Sequence, residues 1–195
     1  MAPSLPVPPY PRTVAVCAAI ATGLWFALSD LRVDLWVGLL PFFEWLETTP
    51  LGVIGKTWGA AFAVVQAVHL LAMAALGGTV LVADGQLLGL VFRDRPLPDL
   101  QRQCDRLFDR ALVLVVLTGV FMVCAVAVKV YYLEVFWYKM LALASGVLFV
   151  YLVRRPLLRC DGGSVAPATR RLVGVASLMI WFSVAATGRW IGFSG

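Results

Sequence analysis

The one histidine of the chain, His69, lies inside an apolar stretch from Trp58 to Asp84, WGAAFAVVQAVHLLAMAALGGTVLVAD, long enough to cross a bilayer. The stretch reads as a transmembrane helix. At about 1.5 Å per residue, His69 falls roughly 16 Å from Trp58, near the middle of a hydrocarbon core about 30 Å thick. An ionisable ring at that depth needs a partner, because polar groups in lipid turn toward protein. Gln66, His69, Met73 and Gly77 recur at i, i+3, i+7 and i+11, so they share a face that should meet a sister helix.

Three chemistries are open to that ring. As a structural tie it would hydrogen-bond a serine or threonine hydroxyl, or a carbonyl, on a facing helix. As a metal ligand it would combine with Met73 and Cys124, or with Met122 or Met179, soft donors suited to copper(I). As an axial ligand it would hold a b-type haem between helices. With a single histidine, a methionine such as Met122 or Met179, a lysine or an open position would complete the iron. Counted from the span ends, Thr118, Met122, Ser145, Met179 and Ser183 fall near the level of His69, with Cys124 about a turn away. Gly77, Gly78, Gly119, Gly146 and Gly174 would let helix backbones approach closely.

A second polar group gathers toward the opposite ends of the spans: Lys129, Lys139 and Arg189, with Glu134 the one acid between the first two. Lysines there either snorkel to the headgroups or, if they converge with Tyr131, Tyr138 or Trp190, form an anion or quinone-headgroup site. The arginines between Arg93 and Arg110 could hold anionic lipid or a partner protein. GxSxG, HExxH, GxGxxG and P-loop motifs are absent, and no pair of carboxylates lies within the spans. This pattern points away from hydrolysis and phosphoryl transfer. Without an internal repeat or a Gly/Pro-broken span, secondary transport has little support either.

The elements that position these residues follow from composition. Of 195 residues 61% are hydrophobic, and the mean hydropathy is +0.88, outside the soluble globular range. An all-α, polytopic membrane protein is expected, with the bilayer rather than nucleic acid meeting its net charge of +5. Residues 1–29 read as a tail with five prolines in the first twelve residues, followed by a first span from Thr13 to Ser29. That span is expected to be retained, although Ala27-Leu28-Ser29 has the small-x-small look of a leader cleavage site. Residues 30–57 read as an interfacial connector in which Pro41 starts a short helix, Phe42, Phe43, Trp45 and Leu46 lie flat at the interface, and Thr49-Pro50 caps the next helix.

Residues 58–195 read as a four-helix bundle, so that five spans are expected in all. Between its first and second spans, residues 93–110 read as a solvated loop and a short amphipathic helix whose apolar face holds Leu100, Leu107 and Phe108. Further crossings run over Ala111–Val130, Lys139–Val153 and Leu172–Phe193. Eleven arginines (Arg12, the five of residues 93–110, Arg154, Arg155, Arg159, Arg170 and Arg171) fall on one side, against Arg32, Lys56, Lys129, Lys139 and Arg189 on the other. The positive-inside rule then places the N-terminus in the cytoplasm and the C-terminus outside. With Cys104 and Cys160 on the reducing side and Cys17 and Cys124 near lipid, structural disulfides are not expected.

FFEWLETTPLG, QAVHLLAMAALGGTVLVADGQLLGL and AVKVYYLEVFWYKMLAL together resemble an uncharacterised family of bacterial four-helix inner-membrane proteins, over roughly residues 42–155. The marks are the EWLE-type interfacial helix, the A-V-H-L-L run around His69, and the V-K-x-Y-Y…K turn with Lys129 and Lys139. More distantly the pattern is similar to CopD-type copper-resistance proteins and b-type cytochrome bundles. That similarity implies a metal or redox association. The expectation is a non-catalytic subunit or accessory protein of a bacterial inner-membrane complex, working with other membrane subunits. The alternative is a haem b- or copper-binding redox or metal-handling protein using His69.

Overall fold

A computed structural model describes residues 18, 20–25, 29, 31–160 and 165–193, and among these every regular element is helical. In chain order they are α1 (Leu31–Thr48), α2 (Pro50–Thr57), α3 (Gly59–Leu87), α4 (Leu97–Ala125), α5 (Ala127–Tyr131) and α6 (Glu134–Leu148). Helix α6 runs on through a π-helical turn, Phe149–Arg154, into α7 (Arg155–Cys160), and α8 (Pro167–Ile191) follows. Four helices are long and apolar enough to cross a membrane: Gly59–Leu87, Leu97–Ala125, Glu134–Leu158 and Pro167–Ile191. The further span expected at Thr13–Ser29 lies largely outside the described residues. Within it, residues 20–25 are helical, and a Cβ added at Gly23 would stand 3.9 Å from Leu141 Cδ1 of α6.

Local chemistry sets several helix ends. Thr49 caps α2 as its side chain accepts from Gly52 N at 3.3 Å, with Pro50 at the first helical position, where a missing N–H costs nothing. Helix α3 closes in a Schellman motif. Gly89, at φ +71°, donates to Gln86 O at 3.0 Å, and Leu90 N reaches back to Gly85 O at 2.8 Å.

Pro41 does not start a helix. It sits inside α1, where its missing N–H and ring oppose the preceding turn at a cost of about 3 kcal/mol. Aromatic packing offsets that strain. Phe43 is buried against Tyr131 and Trp137, with ring centroids 5.3 and 5.7 Å away, and Trp36 lies 4.7 Å from Tyr131. Trp137 Nε1 donates to Tyr131 O at 2.9 Å, and the Tyr131 hydroxyl donates to Trp36 O. These contacts bind α1, α5 and the start of α6 into one cap at the aromatic-rich end of the bundle.

Residues 93–96 form the expected loop, but the expected separate short helix is instead the first turns of α4, which begins at Leu97 and continues unbroken for 29 residues. After Pro98 no proline or glycine interrupts the chain before Gly119, so nothing ends the helix when its apolar section begins. Its buried stripe is Gln101, Cys104, Asp105, Phe108, Ala111 and Val115. Of the expected apolar face only Phe108 is fully buried, and Leu107 is 50% exposed.

The main core joins Ala72, Leu76 and Val80 of α3 to Phe108 and Val115 of α4, Val150 of the π turn, and Trp181 and Val184 of α8. Helix α3 packs on α4 and α8, and α6 packs on α8. Outside this core the spans present Leu71, Val113, Leu117, Met179 and Phe182, as helices facing acyl chains must.

The Glu47 carboxylate ties the cap to α2. It accepts Lys56 Nζ at 2.6 Å and Val128 N at 2.9 Å. The Lys56 hydrogen bond holds its pKa below the usual glutamate value of 4.5, with burial opposing and Val128 N assisting. A depressed carboxylate stabilises the fold above its unfolded pKa, and that contribution is lost as pH falls through the folded value. Acid titration below about pH 4.5 should therefore cost the wild type roughly 0.5–1 kcal/mol from this site. Glu47→Gln should flatten that limb of a detergent unfolding curve, and an identical acid limb in the variant would remove the assignment.

Candidate functional site

His69 faces inward, 8% exposed, and its Nδ1 lies 2.8 Å from Thr118 Oγ1 on α4. The Thr118 hydroxyl donates to Leu114 O at 2.6 Å, one turn earlier, so it accepts from His69 and places the ring proton on Nδ1. The ring stacks against Gly119, where a Cβ would stand 3.4 Å from His69 Cε1. Nε2 is left with the lone pair. Of the alternatives open from sequence, the threonine on a facing helix is the partner the fold supplies.

The surrounding donors are placed differently from one another. Met73 and Lys139 meet over α8: a Cβ on Gly188 would lie 3.5 Å from Lys139 Cε, 3.6 Å from its Nζ and 3.8 Å from Met73 Cε. Met122 is half-buried one turn along α4 from Thr118. Met179 is 67% exposed, and the exposed Ser183 donates back to Met179 O at 3.0 Å. Cys124 is buried six residues beyond Thr118, about 9 Å along the helix. Its carbonyl lies against α2, 2.9 Å from a Cβ added at Gly52. The soft-donor set of His69, Met73 and Cys124 is thus not gathered at one point. Nor do Met122 and Met179 both face the ring. Among the described residues no group of three His, Cys, Asp or Glu could hold a metal.

Gln66 is exposed, because the buried stripe of α3 runs through His69, Ala72, Leu76, Val80, Ala83 and Leu87, about 60° around the helix from Gln66. Ser145 and Gly77 are half-buried. Lys129, Lys139 and Arg189 take separate surroundings: Lys129 is exposed beside Lys56, Lys139 turns inward, and Arg189 lies 4.5 Å over the Phe193 ring.

The most developed polar constellation joins residues that lie far apart in the chain, at the ends of spans and in the segment between them. At the arginine-rich end, Asp84 is fully buried, Arg154 is 3% exposed and Arg155 7% exposed. Arg154 Nε pairs with Asp84 Oδ1 at 3.1 Å, its Nη2 donates to Gln101 Oε1 at 2.8 Å, and its Nη1 lies 3.8 Å from Asp105 Oδ1. Arg155 Nε pairs with Asp105 Oδ1 at 3.2 Å, and its guanidinium grips both oxygens of Asp109, at 2.6 and 3.2 Å. The same guanidinium stacks 4.4 Å over Tyr151, whose hydroxyl donates to Asp109 Oδ1 at 2.5 Å. The π turn before Arg155 supplies the extra residue that lets two consecutive arginines both turn inward.

Three helices are locked by this layer. It joins α3 and α4 to the end of α6, and Gln101 Nε2 adds a 2.9 Å bond to Ala83 O. A signal was present in the sequence: Gln101, Asp105 and Phe108 repeat at helical spacing, and Asp84 and Arg154-Arg155 each close an apolar run. From Asp84 back to His69 is 15 residues, about 22 Å along α3, so the ring lies well toward the aromatic-rich end.

No curated protein and no solved structure matches the chain, and nothing in the comparisons supports the CopD-type or b-type cytochrome similarity. One family model does match, over residues 42–194, from the aromatic segment of α1 through the end of α8. With most of its length covered, the chain belongs to that family, a family of unknown function (DUF6644).

Proposed function

We propose that this protein is a non-catalytic accessory subunit of a bacterial inner-membrane complex. In this reading it crosses the bilayer five times, with its arginine-rich end in the cytoplasm and its C-terminus outside. One observation carries the reading: His69, Gln101 and the two buried arginines are committed to ties between helices. His69 is held by Thr118, Gln101 by Ala83 and Arg154, and the two buried arginines by three aspartates. Polar interiors built this way hold a bundle in one arrangement rather than offer a substrate path. The approach of residue 23 to Leu141 supports the additional crossing, and the arginine asymmetry supports the orientation. Affinity purification from native membranes in mild detergent should bring down partner subunits in fixed ratio. A lone, monodisperse monomer from the same membranes would end the proposal.

A haem- or copper-binding role at His69 is the second reading, and one feature favours it. A ring anchored through Nδ1–H and presenting Nε2 has the orientation that ligating histidines adopt. Reduced-minus-oxidised spectra and metal analysis of purified protein test it directly. A Soret band or stoichiometric copper that disappears in His69→Ala would support it, and a colourless, metal-free preparation would remove it.

A further inference from the structure

Between α2, the start of α3 and the α4–α5 junction runs a cleft of about 410 Å³ that neither reading above uses. Its floor is apolar, formed by Phe62, Ala125 and Val126, and its rim carries Lys56 and Lys129. We propose that this cleft holds the phosphodiester headgroup of an anionic glycerophospholipid, with the upper acyl chain lying along the floor.

Charge and depth both fit that occupant. Lys56 is pinned at the rim by Glu47 at 2.6 Å, which occupies one of its three N–H donors and leaves two. Lys129 makes no ion pair among the described residues and offers all three. Two ammonium groups and one carboxylate leave a local charge of +1, matching a singly charged phosphodiester. The cleft adjoins the aromatic cap, where the exposed Trp45 and Trp58 mark a headgroup layer. Its walls are set by the close contact of α2 with α4, since a Cβ at Gly55 would fall 2.6 Å from Ala125 Cβ. Gly59 leaves the cleft open, as a Cβ there would meet nothing within 4 Å.

The test uses the full chain, delipidated in detergent and titrated with phosphatidylglycerol or with phosphatidylcholine of the same acyl chains, read by native mass spectrometry. Phosphatidylglycerol should be retained at one per chain in preference to phosphatidylcholine. Each lysine near a membrane surface is worth about fivefold in affinity, so Lys56→Gln with Lys129→Gln should weaken retention about 25-fold. Gly59→Leu, which keeps both lysines and fills the cleft, should lower it as well, while Arg189→Gln should not. Thermal unfolding of each variant checks that the fold persists, and the preference of the wild type for one headgroup is read independently of any variant. Equal retention of the two lipids by the wild type, unchanged phosphatidylglycerol retention in the folded variants, or displacement by millimolar inorganic phosphate would each overturn the proposal.

Discussion

Arg154→Gln is expected to destabilise the bundle by about 3–5 kcal/mol, the loss typical when one partner of a buried ion pair is removed. Asp84 has no exposed surface, and Arg154 is the cation that contacts it. Without the guanidinium, its carboxylate stays dehydrated and uncompensated, and Gln101 Oε1 and Asp105 lose a partner too. Arg154→Lys should fall between the wild type and Arg154→Gln, because a single ammonium cannot reach Asp84, Gln101 and Asp105 together as the planar fork does. The combined Asp84→Asn and Arg154→Gln variant should recover part of the loss, since both charges leave the interior at once. Unfolding in mixed micelles, followed by tryptophan fluorescence, gives the four values needed for the cycle. If Arg154→Gln costs under about 1 kcal/mol, or if the two single losses simply add, the ion-pair layer does not hold the helices together.

Gly52→Val should be nearly as damaging, at about 3 kcal/mol, the upper part of the range for overpacking. A Cβ there would lie 2.6 Å from Leu46 O, 2.7 Å from Glu47 O and 2.9 Å from Cys124 O. All three are backbone atoms. No rotamer change can relieve the overlap, so α2 must move away from the end of α4 or α1 must shift with it. Gly78→Ala is the matched control, because a Cβ at Gly78 meets nothing within 4 Å and alanine is the better helix former by about 1 kcal/mol. Thermal midpoints in detergent should fall for Gly52→Val and hold or rise for Gly78→Ala. Equal midpoints for the two variants would mean that α2 does not seat on α4 as described.

Both predictions rest on contacts that a local pattern does not carry, although their surroundings were partly legible. The apolar run around His69 marked α3 nearly to its ends, and Thr49-Pro50 marked the start of α2, because a cap hydroxyl and an N1 proline act within one turn. The other spans were read short. Apolar composition marks Ala111 as the beginning of a helix that starts at Leu97, and Leu172 as the beginning of one that starts at Pro167. Apolar residues report which part of a helix is immersed, whereas the helix itself continues until a proline, glycine or cap stops it. Pro41 failed as a boundary signal for the converse reason. Tertiary packing of Phe43 and Trp36 outweighed its local preference.

The amino-acid sequence by itself determined that the chain forms apolar helices in a membrane, because long runs without charge must satisfy their backbone groups internally. It also determined which end is rich in arginine and which in aromatic rings. Only the tertiary structure decided that His69 meets Thr118, 49 residues away, that Arg154 and Arg155 are interior ion-pair partners instead of loop charges, and that Lys139 turns toward Gly188 while Lys129 does not follow it. The physical reason is that depth along a helix can be counted from its own residues, whereas the direction a side chain faces acquires meaning only once the neighbouring helix and its rotation are known.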